Sequence, residues 1–157
     1  MKVLITGVTG FLGKNVLPIL LKNNVEVVAL VKDKQACSHL ENIVKLVEYD
    51  ISSGLDGVHK KCGSLDVLLH LAWGGLPNYN SMQHIDIELQ NHYRFIKELV
   101  ECGVKNVYVA GTCFEYGDRS GPLSEDIDTN PNNPYGFAKD TLRKQLQFFK
   151  VNIPFSL

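Results

Sequence analysis

The sequence predicts an α/β fold built on a doubly wound parallel sheet, and three observations carry that prediction. Short apolar runs rich in β-branched residues, at 2–6, 25–31, 43–49, 65–72 and 104–112, alternate with segments of helical periodicity. The first run passes directly into glycines spaced by three, Gly7, Gly10 and Gly13, and then into a helix. Near the end, a long loop is followed by a helix that opens Tyr135-Gly-Phe-Ala-Lys139.

The opening turn has the order that a dinucleotide pyrophosphate site needs. The first glycine permits a tight turn, the second lets phosphates approach the backbone, and the third lets helix and strand pack closely. A helix start then presents free N–H groups and a positive dipole end to the anion. Alone, such a turn is as compatible with a purely structural connection; its place after the first strand is what favours a nucleotide.

At 157 residues one domain is expected, with length enough for a real core. The chain is 45% hydrophobic and 21% charged with a net charge of −1, which gives no reason to expect nucleic acid or an anionic membrane surface as partner. No apolar run reaches the roughly 18 residues of a membrane span. Cys37, Cys62, Cys102 and Cys113 form no Cys-x-x-Cys pair, so reduced thiols in a cytoplasmic setting are expected. The five histidines do not join them at ligand spacing, and no metal site is predicted.

The first helix should cover 11–23, with Leu12, Val16, Leu17 and Leu20 on its core face. Pro18 inside it removes one hydrogen bond and predicts a kink. Asn23-Asn24 is a suitable stop because Asn tolerates left-handed geometry. The end of the second strand is where a doubly wound sheet reads an adenosine ribose: an acid there suits NAD, basic groups suit a 2′-phosphate. Lys32 and Lys34 tilt the reading towards NADP over NAD, with Asp33 alongside and a plain solvated turn as the alternative. A weak helix at 34–41 leads to the third strand and Asp50-Ile51, where Asp50 suits either a cofactor contact or a helix cap.

In the fourth run a lone His70 reads as a satisfied core histidine. The loop Trp73-Gly-Gly-Leu-Pro-Asn-Tyr-Asn80 follows a strand end and suits a site wall or a connector. A long helix at 81–102 carries Ile85, Leu89, Ile96 and Leu99 at core spacing and stops at Gly103. Residues 117–134 hold two Gly, three Pro and three Asn, a long loop of the kind that is usually functional. Asn133 and Pro134 then suit the N-cap and first turn of a helix at 134–151.

Spacing of four puts Tyr135 and Lys139 on one helical face. A phenol with pKa near ~10 is a poor proton donor or acceptor at neutral pH, and a nearby cation would stabilise its phenolate. Tyr135 could then exchange a proton with a substrate oxygen while hydride moves to or from a nicotinamide. Thr112, where the fifth strand opens, could hold that oxygen. The same spacing recurs at Tyr93-Arg-Phe-Ile-Lys97, in mid-helix before the fifth strand, where packing and a solvated lysine are expected.

Taken together, Thr6-Gly7-Val-Thr9-Gly10-Phe11-Leu12-Gly13, Asp50-Ile51, His70-Leu71-Ala72, Thr112 ahead of Tyr116-Gly117, and Tyr135-x-x-x-Lys139 resemble the extended short-chain dehydrogenase/reductase family. That family comprises NAD(P)-dependent sugar-nucleotide epimerases, dehydratases and ketoreductases. The resemblance implies a Rossmann-like domain over 1–157. It also implies cofactor contacts from Gly7, Thr9, Gly10, Phe11, Leu12, Gly13, Lys32, Asp50, Ile51, Leu71, Ala72, Tyr135 and Lys139, and a catalytic set of Thr112, Tyr135 and Lys139. It implies a homodimer through the helices at 81–102 and 134–151. Two departures narrow it. Thr112-Cys113-Phe114 lacks the acid and base that the family's dehydratases carry there, leaving ketoreductase or epimerase. Family members are also much longer, so the carboxyl-terminal substrate lobe is missing and 153–157 reads as a sixth strand just starting. The expected activity is reduction of a nucleotide-linked 4-keto-6-deoxy sugar. An epimerase retaining NAD is the first alternative, and a non-catalytic dinucleotide sensor the second.

Overall fold

The computed structural model describes residues 1–53 and 57–157. Five strands, β1 (Lys2–Thr6), β2 (Glu26–Val31), β3 (Lys45–Glu48), β4 (Val67–His70) and β5 (Asn106–Val109), form one sheet in the order β3-β2-β1-β4-β5. All four pairings are parallel. The order reverses at β1, which places the switch point of the sheet over the glycine turn. Past β5, Ser156 bridges Asn106 in parallel, the start of a sixth neighbour as expected.

Alternation along the strands builds a core on each face of the sheet. Leu4, Val28 and Leu68 pack with Leu99 of α3 (Leu89–Glu101) and with Leu142 and Leu146 of α4 (Pro134–Asn152). Ile5, Val27 and Ala29 face the other way, onto Leu17 of α1 (Phe11–Lys22). A short helix, α2 (Val58–Cys62), precedes β4. Among the described residues no helix is long and apolar enough to cross a membrane.

Several expected boundaries shift. Helix α1 runs unbroken through Pro18; both Pro18 and Lys14, whose carbonyl loses its donor, are exposed, so water can replace the bond. Leu12 is exposed towards the crevice rather than buried in the core. Asn24 has φ +56, the left-handed stop predicted for this pair. The weak helix at 34–41 is a 3-10 turn, Gln35–Leu40. The long helix begins as a π turn, His84–Glu88, before α3. Its apolar stripe contains two polar side chains, Glu88 and His92, both fully buried.

Candidate active site

A crevice of about 790 Å³ opens along the carboxyl ends of β1, β2 and β4 and reaches the first turns of α4. Its floor is the glycine turn. Gly7 has φ +70, and a Cβ there would meet the Ala72 nitrogen at 2.8 Å, so only glycine fits. Gly13 lies beneath the turn, where a Cβ would collide with the Gly7 oxygen and approach Val8 Cα at 2.5 Å. Helix α1 therefore starts against β1, and the N–H groups of its first turn face the crevice without intrahelical partners. This cradle fits a dinucleotide pyrophosphate. When bound, the nicotinamide group would supply or accept the hydride.

Of the residues picked out from the sequence, Gly7, Thr9, Gly10, Phe11, Leu12, Lys32, Ile51, Leu71, Ala72, Tyr135 and Lys139 line this crevice. Gly13, Asp50 and Thr112 do not: Gly13 is packed underneath, and Asp50 and Thr112 act on residues that do. The Asp50 carboxylate accepts from Ser52 N at 2.9 Å and pairs with Lys32 at 3.0 Å. Of the two roles expected for Asp50, the cap is present at the turn Ile51–Ser53, and an ion pair to Lys32 accompanies it. Lys34 turns away to Glu41 at 3.2 Å.

At the other end, Thr112 caps the 3-10 turn Cys113–Tyr116, accepting from Phe114 N. The first turn of α4 lies flush against it because residue 136 is glycine; any Cβ there would collide with the Phe114 carbonyl. Asn133 caps α4 through Gly136 N at 2.8 Å, as predicted. The Thr112 side chain lies near enough to the Tyr135 hydroxyl to draw its pKa down. The Tyr135 ring sits among Trp73, Tyr79, His84 and Phe114.

One electrostatic expectation is corrected. Tyr135 has its pKa raised, first by burial, with the Thr112 side chain opposing and the charge of Glu115 adding to it. The cation is directed elsewhere: the Lys139 ammonium lies 4.5 Å from the Trp73 ring centroid. Burial brings Lys139 down to about 8, with Glu115 holding it up. In the cofactor-free protein the phenol is therefore protonated at neutral pH.

The sequence reading also missed a buried polar chain. Thr6 Oγ1 accepts the N–H groups of Leu71 and Ala72, both at 3.1 Å, so its own hydroxyl donates to His70 Nδ1 at 2.9 Å. His70 then carries its proton on Nε2 and donates to His92 Nδ1 at 2.7 Å. His92 in turn donates from Nε2 to Glu88 Oε2 at 3.1 Å. One pattern of protons satisfies every member: two neutral imidazoles and an ionised carboxylate. Burial keeps both histidines below their ordinary value, and the His92 bond keeps Glu88 below its own. Glu88 also accepts from Gly74 N, and His92 stacks on Trp73 at 4.4 Å. Glu88 and His92 line the crevice. The available signal was a Glu and a His four apart inside an apolar helical stripe.

A parallel switch-point sheet, a glycine cradle and a Tyr–Lys pair sharing one crevice define a dinucleotide-binding α/β domain. The model of the NAD dependent epimerase/dehydratase family matches residues 3–150, and the chain belongs to that family. It is 33% identical to a dTDP-6-deoxy-L-talose 4-dehydrogenase (NAD(+)) of Aggregatibacter actinomycetemcomitans, over 98% of this chain and 57% of that protein. It is 26% identical to a UDP-glucose 4-epimerase of Halalkalibacterium halodurans, over 94% and 46%. The chain thus spans about half the length of the curated relatives it matches. Its fold is like that of the UDP-glucuronic acid 4-epimerase of Bacillus cereus, with a TM-score of 0.78 at 24% identity, covering 99% of this chain and 54% of that one.

Proposed function

We propose that this chain is the cofactor-binding part of an NAD(P)-dependent oxidoreductase that reduces a nucleotide-linked 4-keto-6-deoxy sugar. The observation that carries the reading is Tyr135, protonated and close to Thr112, on the wall of the crevice whose floor is the Gly7–Gly13 cradle. Tyr135 donates its phenolic proton to the substrate carbonyl oxygen and Thr112 orients that oxygen, while the Lys139 ammonium stands over Trp73 on the same crevice wall. The glycine turn, Leu71 and Ala72 hold the dinucleotide so that hydride reaches the same carbon. A relative named as a 4-dehydrogenase of a deoxysugar nucleotide runs the reverse chemistry at that position, which supports the substrate class.

An epimerase retaining NAD is the second reading, favoured by the 4-epimerase relative. For the cofactor, Lys32 supports NADP(H): it is exposed beside the crevice, and a 2′-phosphate can displace its exposed partner Asp50. Asp33, also lining the crevice, supports NAD(H). Four free cysteines support a reducing, cytoplasmic setting. Exposed Phe148 and Val151 on α4, 78% and 81% accessible, support a homodimer.

The test is to add NADH and NADPH separately to the full-length protein with a panel of keto-sugar nucleotides and follow nicotinamide absorbance. Stoichiometric consumption establishes a reductase; tightly retained cofactor with interconversion of C4 epimers establishes the epimerase instead. Lys32→Ala should weaken NADPH and spare NADH.

A further inference from the structure

We propose that Glu115 is a positioning residue that keeps the Thr112–Tyr135–Lys139 set in its fully protonated, reduction-ready state; the catalytic part of this rests on the reading above. Glu115 is buried at the third position of the 3-10 turn and lines a second cavity rather than the crevice that holds the cradle. Its Oε1 accepts the N–H of Thr112 at 2.8 Å, which fixes the backbone of the residue whose side chain lies near Tyr135. Its Oε2 faces Arg143 Nε at 3.6 Å, and Asn130 N donates to its carbonyl at 3.0 Å. Lys139 and Arg143 are one helical turn apart on α4, so both project towards Glu115. All three line this second cavity, of about 470 Å³, which shares Ala110, Gly111 and Lys139 with the crevice.

Lys139 therefore has a neutral π face, Trp73, in the crevice and shares the second cavity with a carboxylate. The charged and titratable groups around the pair are Arg143 and Lys150 on α4, Glu125 in the long loop, Tyr135 in the first turn, and the His92 imidazole behind Trp73. Arg143 is itself held by Asp140 at 2.5 Å, which also binds Lys144. Glu115 thus meets a guanidinium restrained on its far side. A carboxylate here favours the ammonium on Lys139 against burial and disfavours the phenolate on Tyr135. Both effects set the protonated pair, the state from which a carbonyl is reduced.

The test reads the charge of Lys139 directly, by titrating its side-chain Cε resonance in protein labelled with 13C-lysine and assigned with Lys139→Arg. In the unaltered protein the midpoint should fall below the ordinary lysine value, at about 8. Glu115→Gln keeps the acceptor for Thr112 N and removes the charge, so the midpoint falls. Arg143→Gln removes the opposing charge, so the midpoint rises. An unmoved midpoint in Glu115→Gln overturns the proposal. If Glu115→Gln does not fold, Glu115→Asp, which draws the carboxylate back by one methylene, decides instead, a fall in the midpoint supporting the proposal and no change ending it. In turnover, Glu115→Gln should move the alkaline limb of the kcat profile to lower pH with KM for the cofactor unchanged; a uniform loss at every pH marks a structural role and overturns it. Midpoints that move in a protein with no keto-sugar reduction leave Glu115 controlling Lys139 and refute the reaction. Turnover with fixed midpoints refutes the role of Glu115.

Discussion

The chain contains the Tyr-x-x-x-Lys spacing twice, and the two copies have opposite surroundings. Tyr93 packs against the core and edge-on to Phe149, while Lys97 is 43% exposed and reaches Glu101 at 3.7 Å. Tyr135 and Lys139 are 8% and 5% exposed, one among aromatic rings near Thr112 and the other lodged over an indole ring. Helical spacing brings the two side chains to one face in both cases. What differs is the partner of each helix. Helix α3 meets the middle of the sheet through its apolar stripe, whereas α4 starts at the carboxyl edge, against the turn that Thr112 caps. The pair at 135–139 therefore borders the crevice and the pair at 93–97 does not.

The sharpest way to break this comparison is to remove each phenol oxygen in turn. Tyr135→Phe should cost on the order of 10²–10⁴-fold in keto-sugar turnover, the range for losing a positioned general acid, with cofactor binding near normal. Tyr93→Phe should leave turnover unchanged. Comparable losses from the two changes, measured by nicotinamide absorbance, would sink the assignment.

Next in size is the polar chain behind the second pair. Glu88→Ala leaves the His92 Nε2 proton and Gly74 N without an acceptor in a buried site. Leaving a buried donor without its acceptor costs about 1–3 kcal/mol. Denaturant unfolding of this variant against the parent measures it; a loss below about 1 kcal/mol, the range of an ordinary exposed pair, would mean the chain of bonds contributes little.

These two regions also show how far the sequence could be read. The order of strands and helices followed from the change between period two and period 3.6, and the cradle from three glycines directly after a strand. The strand ends did not: the run 65–72 continues past β4 because Leu71 and Ala72 leave the ladder to bond Thr6 Oγ1 and border the crevice. His70 was legible as a satisfied core histidine, but its partner was not. His92 and Glu88 occupy apolar-stripe positions, and a stripe read only through its Ile and Leu members passes over them. Trp73 against Lys139 and Glu115 against Arg143 join positions far apart in the chain. Lys32 and Asp50 were weighed separately, yet they end neighbouring strands and bind each other. Such pairings belong to the fold, and no local period encodes them.

The pH dependence of stability gives a smaller, graded test of the same chain of bonds. Both histidines have folded-state values below 6.5 because burial disfavours their charged forms. Above the unfolded value neither state takes a proton, and their contribution is fully present. As pH falls through 6.5 the unfolded chain binds protons that the folded chain refuses, so stability drops. Each histidine adds up to about 1.4 kcal/mol per pH unit. Glu88, also lowered, loses its contribution only further down, below 4.5. Melting should therefore move to lower temperature between pH 7 and pH 5, and His92→Gln should flatten that slope. A profile level through this window in the parent would mean that the histidines carry charge inside the fold.

The smallest effect belongs to the exposed pair. Lys97 and Glu101 are i, i+4 neighbours on α3, both roughly half accessible, with water competing for each charge. The lysine stands N-terminal to the glutamate, the less favourable order for the helix dipole. Lys97→Ala gives up at most a few tenths of a kcal/mol from the ion pair and recovers part of it through the higher helix propensity of alanine. The melting temperature should shift by no more than one or two degrees, in either direction, and the shift should shrink further in 1 M salt. Lys139→Ala, by contrast, empties space beside Trp73 and removes a buried charge. If the two alanine variants melted and turned over alike, the distinction between the pairs would rest on position alone, and the crevice around the second would have no chemical consequence.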